Sequence, residues 1–181
     1  MSDFLDSPFS ASDVKKALFD MFPTKANGPN GMLALFCQRF WVMVGDSMTA
    51  ACLRTLNDGD PLETVNDTLI TLISKAAHPT RMSEFRPISL CNMMYKIVVK
   101  TLANRFRLAL GDLISEAQSA FVPGRLITDN AVIGFECIHV IRNKKCKKGS
   151  MALKLDMSKA YDMVEWNFLA SMIIKLGFSV G

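Results

Sequence analysis

The sequence predicts an α+β chain in which helices pack on short strands. Apolar residues recur at helical spacing through long stretches bounded by turn residues. Between them lie short runs with strand character, Thr68-Leu69-Ile70-Thr71-Leu72-Ile73 and Met151-Ala152-Leu153-Lys154-Leu155-Asp156. There is no internal repeat or low-complexity tract. With 50% hydrophobic and 21% charged residues among 181, the composition suits a buried core or part of one, not a disordered tail.

Taken in order, Ser10 with Asp13 three residues later makes a capping-box pattern, and Val14, Leu18, Met21 and Phe22 follow as an apolar stripe. Pro23 and Gly28-Pro29-Asn30-Gly31 end that helix in a turn. Leu33, Phe36, Phe40, Val44, Met48 and Cys52 predict a long helix from Met32 to about Leu56, broken near Gly45, with the stripe as its core face. After the Thr68–Ile73 strand, Asn92 caps a helix to about Leu110. Its face of Tyr95, Val98, Val99, Leu102 and Phe106 lies opposite Lys96, Lys100, Asn104 and Arg107. Thr128 opens a further helix to about Cys146, where Arg142, Lys144, Lys145, Lys147 and Lys148 suit a solvated C-terminal end. The last helix, Glu165 to Leu176, aligns Trp166, Leu169, Ile173 and Leu176, with Gly177 placed as its C-cap.

Chemistry concentrates in the stretch that ends on Asp156. Strand alternation puts Met151, Leu153 and Leu155 on one face and Ala152, Lys154 and Asp156 on the other. A carboxylate at a strand end is a hard oxygen ligand suited to Mg²⁺, and it is equally a favoured N-cap for the Ser158-Lys159-Ala160-Tyr161-Asp162 segment. Lys96, Lys100 and Arg107 could track a phosphate backbone or simply face solvent.

Asp156 with Tyr161-Asp162, after an apolar strand, resembles the first carboxylate motif of reverse transcriptases. Two upstream blocks resemble the same family in the same order: Phe85-Arg86-Pro87-Ile88-Ser89-Leu90-Cys91-Asn92 with Tyr95-Lys96-Ile97, and Gln118-Ser119-Ala120-Phe121-Val122-Pro123-Gly124-Arg125-Leu126-Ile127-Thr128-Asp129-Asn130. Together they are similar to plant LINE-type, non-LTR retrotransposon enzymes from about Val14 onward. The resemblance implies a partial right-hand polymerase. Residues 1–31 would be a helix and turn preceding the fingers, and 32–181 the fingers and first part of the palm, stopping before the downstream Asp-Asp motif.

By the same resemblance, Lys75 and Arg86 face the phosphates of an incoming dNTP, Asp156 binds Mg²⁺ and is catalytic, and Tyr161 packs beneath the sugar. Lys96, Lys100, Arg107 and Arg125 are implied as contacts to nucleic acid, the partners being an RNA template and a DNA primer. No Asp-Asp pair occurs in the sequence, so these residues alone are expected to be inactive. The alternative is a non-catalytic nucleic-acid-binding remnant of a decayed element. Asn27, Asn30, Ser74, Ala117 and Met163 stand where the family usually has Pro, Asp, Pro, Asn and Arg.

The remaining features are quieter. A formal charge of +4 permits a nucleic-acid partner without demanding one. Cys37, Cys52, Cys91, Cys137 and Cys146 form no CxxC pair and no metal-like spacing with His78 or His139, so they read as reduced, mostly buried thiols. Met1–Asp6 is acidic and too short in apolar run for a signal peptide, and no stretch approaches a membrane span; a nuclear or cytoplasmic location is expected.

Overall fold

The computed structural model describes residues 5–61, 66–119, 122, 124–144, 149–155 and 163–178, apart from the side chain of Asp112. The chain divides into two compact units. One is Ser7–Arg105; the other joins Phe106–Gly181 to Met1–Asp6.

The first unit begins with α1 (Ala11–Phe19). Its capping box forms as the sequence predicts: Asp13 N donates to Ser10 Oγ at 3.4 Å, and Ser10 N to Asp13 Oδ2 at 2.9 Å. Val14, Ala17 and Leu18 are buried, the i, i+3, i+4 stripe of an amphipathic helix. The chain entering α1 is tied down twice. Asn57 exchanges both amide hydrogen bonds with the Phe9 backbone, at 2.8 and 3.0 Å. Arg105 donates to the Ser7 and Pro8 carbonyls, stacks over the Phe9 ring at 3.4 Å and lies 3.7 Å from Asp13.

The single helix expected from Met32 to Leu56 is two, α2 (Ala34–Arg39) and α3 (Trp41–Asn57). The break falls at Phe40 (φ −103°, ψ 25°), not at Gly45. Gly45 lies within α3, where the Trp41 indole leaves no room for a side chain: a Cβ there would meet Trp41 Cε2 at 2.7 Å. The break also turns the stripe. Ala34, Cys37, Met48 and Cys52 are buried, while Phe36 and Phe40 stand exposed with ring centres 5.1 Å apart.

β1 (Thr68–Ser74) and β2 (Phe85–Cys91) pair antiparallel, with Thr68 opposite Cys91 and Ser74 opposite Phe85. α4 (Met93–Leu113) follows at once. The expected face of α4 is rotated by about one residue. Met93, Ile97, Val98 and Thr101 are buried, whereas Val99, Leu102 and Phe106 are exposed. Packing selects this face, since Met93, Ile97 and Val98 join Val14, Leu18, Ala34, Cys37, Met48 and Cys52 in one core. Buried Thr101 satisfies its hydroxyl on the Ile97 carbonyl at 2.8 Å.

The turn after α1 is clamped onto the β2–α4 junction. Gly31 N donates to Gly28 O at 3.0 Å, with Gly31 at φ 69°. Asn30 Oδ1 accepts from Met32 N at 3.2 Å, an Asx-type closure. Asn30 N in turn donates to Asn92 Oδ1 at 3.3 Å, and Asn92 Nδ2 to Asp67 O at 3.5 Å. Gly28 is buried against this junction so closely that a Cβ would lie 2.3 Å from Cys91 O and 2.7 Å from Asn92 N.

In the second unit, α5 (Ile127–Asn143) and α6 (Trp166–Lys175) are exposed over most of their surfaces. α5 begins at Ile127 with Leu126 as its cap, so Thr128 sits in its first turn instead of capping it. α6 ends as expected, with Gly177 at φ 90°. Gly177 N donates to Ile174 O and Phe178 N to Ile173 O, a Schellman closure. Ile173 and Leu176 are half-buried, but Trp166 is 82% exposed and does not share their environment. The expected strand over Met151–Asp156 is not formed in Met151–Leu155, which are exposed and outside any helix or strand. A strand exists only against a partner edge, and the only sheet among the described residues is β1–β2.

Gly28→Ala is expected to destabilise the first unit by about 1–3 kcal/mol, because the new methyl meets backbone that cannot yield. Gly111→Ala, in α4 with open space around it, should stabilise by up to about 1 kcal/mol. Urea midpoints of the two variants check this, and a Gly28→Ala midpoint equal to wild type rules the clamp out.

Candidate nucleotide and nucleic-acid site

The hairpin brings Lys75 and Arg86 together at one end. Lys75 follows directly on β1, and its N donates to Glu84 O at 2.7 Å, extending the ladder by one step. Arg86 lies on β2 opposite Ile73, so the two cations are diagonal neighbours across the strand pair and both are exposed. Lys75 Nζ donates to Ser83 O at 2.9 Å, which fixes its position without neutralising its charge.

Glu84, absent from the sequence-level candidates, organises the connecting loop. Its carboxylate accepts from Thr80 N at 2.6 Å and Arg81 N at 3.0 Å. The backbone N–H of Arg81, then that of Thr80, holds this carboxyl below the usual glutamate range. An acidic residue just before the Phe85-Arg86-Pro87 block was the available signal.

A second cluster lies within the first unit, in a concavity of about 670 Å³. Lys25 from the turn and Lys96 and Lys100 from α4 line it, with Met21, Phe22, Tyr95 and Val99 as the apolar part. The sequence candidates differ in the contacts they make. Lys96 is half-buried and its Nζ donates to Ala26 O at 2.6 Å, bracing the turn against α4. Burial pulls its pKa down, the nearby Cys91 pushes it up and Lys25 pulls it down. Lys25 was missed because no helical pattern connects it to α4; only the Gly28 turn brings it there.

Arg125 is also engaged with backbone. Its guanidinium donates to Ser115 O at 2.5 Å, Gln118 O at 2.6 Å and Ile114 O at 3.2 Å, so it staples the loop ahead of α5. Gly124, at φ 79°, makes the turn that returns Arg125 to that loop. Arg107 is exposed on the second-unit portion of α4. Asp156 and Tyr161 lie outside the described residues. Among the described residues no group of three His, Cys, Asp or Glu could hold a metal ion.

Thiols divide by burial. Cys37 and Cys52 are buried, Cys91 is half-buried and Cys137 is exposed, so the expectation of mostly buried thiols fails at α5; Cys146 lies outside the described residues. Burial pushes Cys52 up to about 11. His139 meets Asn143 at 2.8 Å on the surface of α5. No helix among the described residues is long and apolar enough to cross a membrane.

A cation-bearing hairpin and a lysine-lined groove thus stand on an α+β frame. The family model for reverse transcriptase (RNA-dependent DNA polymerase) matches residues 73–180, more than half of the chain, and the chain belongs to that family. It is also 29% identical over 175 residues to the Transposon TX1 uncharacterized 149 kDa protein of Xenopus laevis. That match covers 96% of this chain and 13% of the relative, so the chain spans about one eighth of its length. The family match and the similarity to a transposon protein agree with the reverse transcriptase and transposon parts of the resemblance drawn from the three blocks.

Since Glu84 is held below its ordinary value, its two backbone bonds are fully present above the unfolded glutamate range, about pH 4.3. They are lost as pH falls through the lower folded value. The amide signals of Thr80 and Arg81 should therefore titrate together in acid, and Glu84→Gln should abolish that titration. Amides that shift identically in the variant would place the loop order elsewhere.

Proposed function

We propose that the chain forms the fingers and first part of the palm of a reverse transcriptase from a plant LINE-type, non-LTR retrotransposon. Residues 1–31 are a preceding helix and turn, and 32–181 the polymerase portion. The observation that carries this is the family match over residues 73–180, supported by a hairpin that gathers Lys75 and Arg86 at one end. An Arg fork beside a Lys point charge suits the phosphates of a dNTP in geometry and in charge. In this reading Asp156 is the catalytic carboxylate and Tyr161 packs beneath the sugar.

Nucleic-acid contacts fall to Lys96, Lys100, Arg107 and Arg125, with an RNA template and a DNA primer as partners. Lys96 and Arg125, engaged on backbone carbonyls, act largely by holding the surfaces that the others use. Mg²⁺ is assigned to Asp156 by resemblance. The described residues supply no three-ligand cluster around which a metal step can be drawn. The sequence also contains no Asp-Asp pair, so the 181 residues by themselves are proposed not to polymerise.

Primer extension on an RNA template tests the proposal. A version continued through a family member's downstream palm and thumb should extend the primer, and Asp156→Asn should abolish it. Lys75→Ala or Arg86→Ala should each raise the dNTP concentration needed by about tenfold or more, the scale of losing a charge-assisted hydrogen bond. Template-dependent extension by the 181 residues alone, or full activity of the Asp156→Asn version, would overturn it.

A further inference from the structure

The groove lined by Lys25, Lys96 and Lys100 has a feature that phosphate binding alone does not require. Two aromatic rings, Phe22 and Tyr95, stand among its cations, and Phe22, three residues past the end of α1, is 72% exposed. Asp20 is the groove's one carboxylate, and its Oδ2 accepts from Asn104 Nδ2 at 3.2 Å. The lining is therefore strongly cationic. Lys96 and Lys100, one helical turn apart, project along the same side of α4, separated by a rise of about 6 Å. Lys25 is fixed on the facing wall because its turn is held by the Gly28 approach and by Lys96 on Ala26.

Duplex buries its base faces in its own stack and offers a protein its backbone and groove edges. An unpaired strand offers bases that stack on aromatic side chains, so cations interleaved with an exposed Phe22 ring and a half-buried Tyr95 ring favour the single strand. We infer that this groove binds an unpaired nucleic-acid strand, with Lys25 and Lys100 on phosphates, Phe22 and Tyr95 as stacking platforms, and Lys96 as the strut between the walls. The inference rests on the polymerase reading and deepens it. It adds Lys25, Phe22 and Tyr95 to the proposed contacts and assigns the part that Lys100 plays to an unpaired strand.

Fluorescence anisotropy with the 181-residue chain tests it, using labelled RNA and DNA oligonucleotides of equal length and an RNA–DNA hybrid, across a salt series. Lys25→Gln with Lys100→Gln should reduce the single-strand salt slope by about 1.4, the value for two lost phosphate contacts. Phe22→Ala and Tyr95→Ala should each weaken single-strand binding by about fivefold or more. Tyr95→Phe should retain wild-type affinity, which distinguishes loss of stacking from loss of folding; circular dichroism of each variant confirms the fold. Equal effects on RNA and DNA strands mean the groove reads backbone and bases alone, and a larger effect on RNA adds the 2′-hydroxyl to what it recognises; both support the inference. An unchanged slope and affinity for single strands overturns it. So does an equal loss on the hybrid. Hybrid binding by the wild-type chain leaves the polymerase reading standing in either case.

Discussion

The first unit depends on a backbone contact that only glycine permits. Gly28 lies directly on the carbonyl of Cys91, and from that approach follow the Asn30–Asn92 bond, the Asn92–Asp67 bond and the Lys96–Ala26 brace. A turn thirty residues into the chain thereby fixes where a strand ends and a helix begins some sixty residues later. The lysine groove is a product of this contact, since its walls come from the two segments so joined. Asn30 keeps the turn closed by accepting from Met32 N, a bond for which one uncharged side-chain oxygen suffices.

Local signals were legible in the sequence where a neighbouring residue completes them. The Ser10–Asp13 box, the Gly177 closure and the Thr68–Ile73 strand each involve partners a few residues apart or strong β-branched character, and each is present. Facing was less legible. On α4 the apolar residues Val98, Val99 and Leu102 leave two nearly equivalent stripes, and the choice between them is made by α1 and α3, which local periodicity does not contain. The Phe40 break was hidden for a related reason: nothing in Phe40 itself disfavours helix as Gly45 does. Yet Gly45 lies within α3, with the indole packed on its bare Cα.

The candidate site shows the same division. Lys75 and Arg86 were expected from the family resemblance, and hairpin register explains why residues eleven apart become diagonal neighbours. Lys25 and Glu84 were not, because their importance lies in what they are brought against. Arg125 carries more than the resemblance assigns to it. The resemblance suggests phosphate for its guanidinium, and the structure adds donation to three loop carbonyls, a second task that the sequence pattern does not announce. Met151–Leu155 marks the limit of alternation as a signal: the pattern reports which faces a strand would have and says nothing of whether an edge is present to receive it.

The unequal burial of the thiols has a practical meaning for anyone wishing to watch this chain move. Cys37 and Cys52 are shut inside the helical core, and burial raises both above the ordinary thiol range, so neither offers much thiolate at neutral pH. Cys137 stands open on α5. A brief exposure to a maleimide dye at neutral pH would leave the core pair untouched while marking α5. Slow labelling of Cys37 or Cys52 would then act as a clock for opening of the helical core, with no engineered residue required.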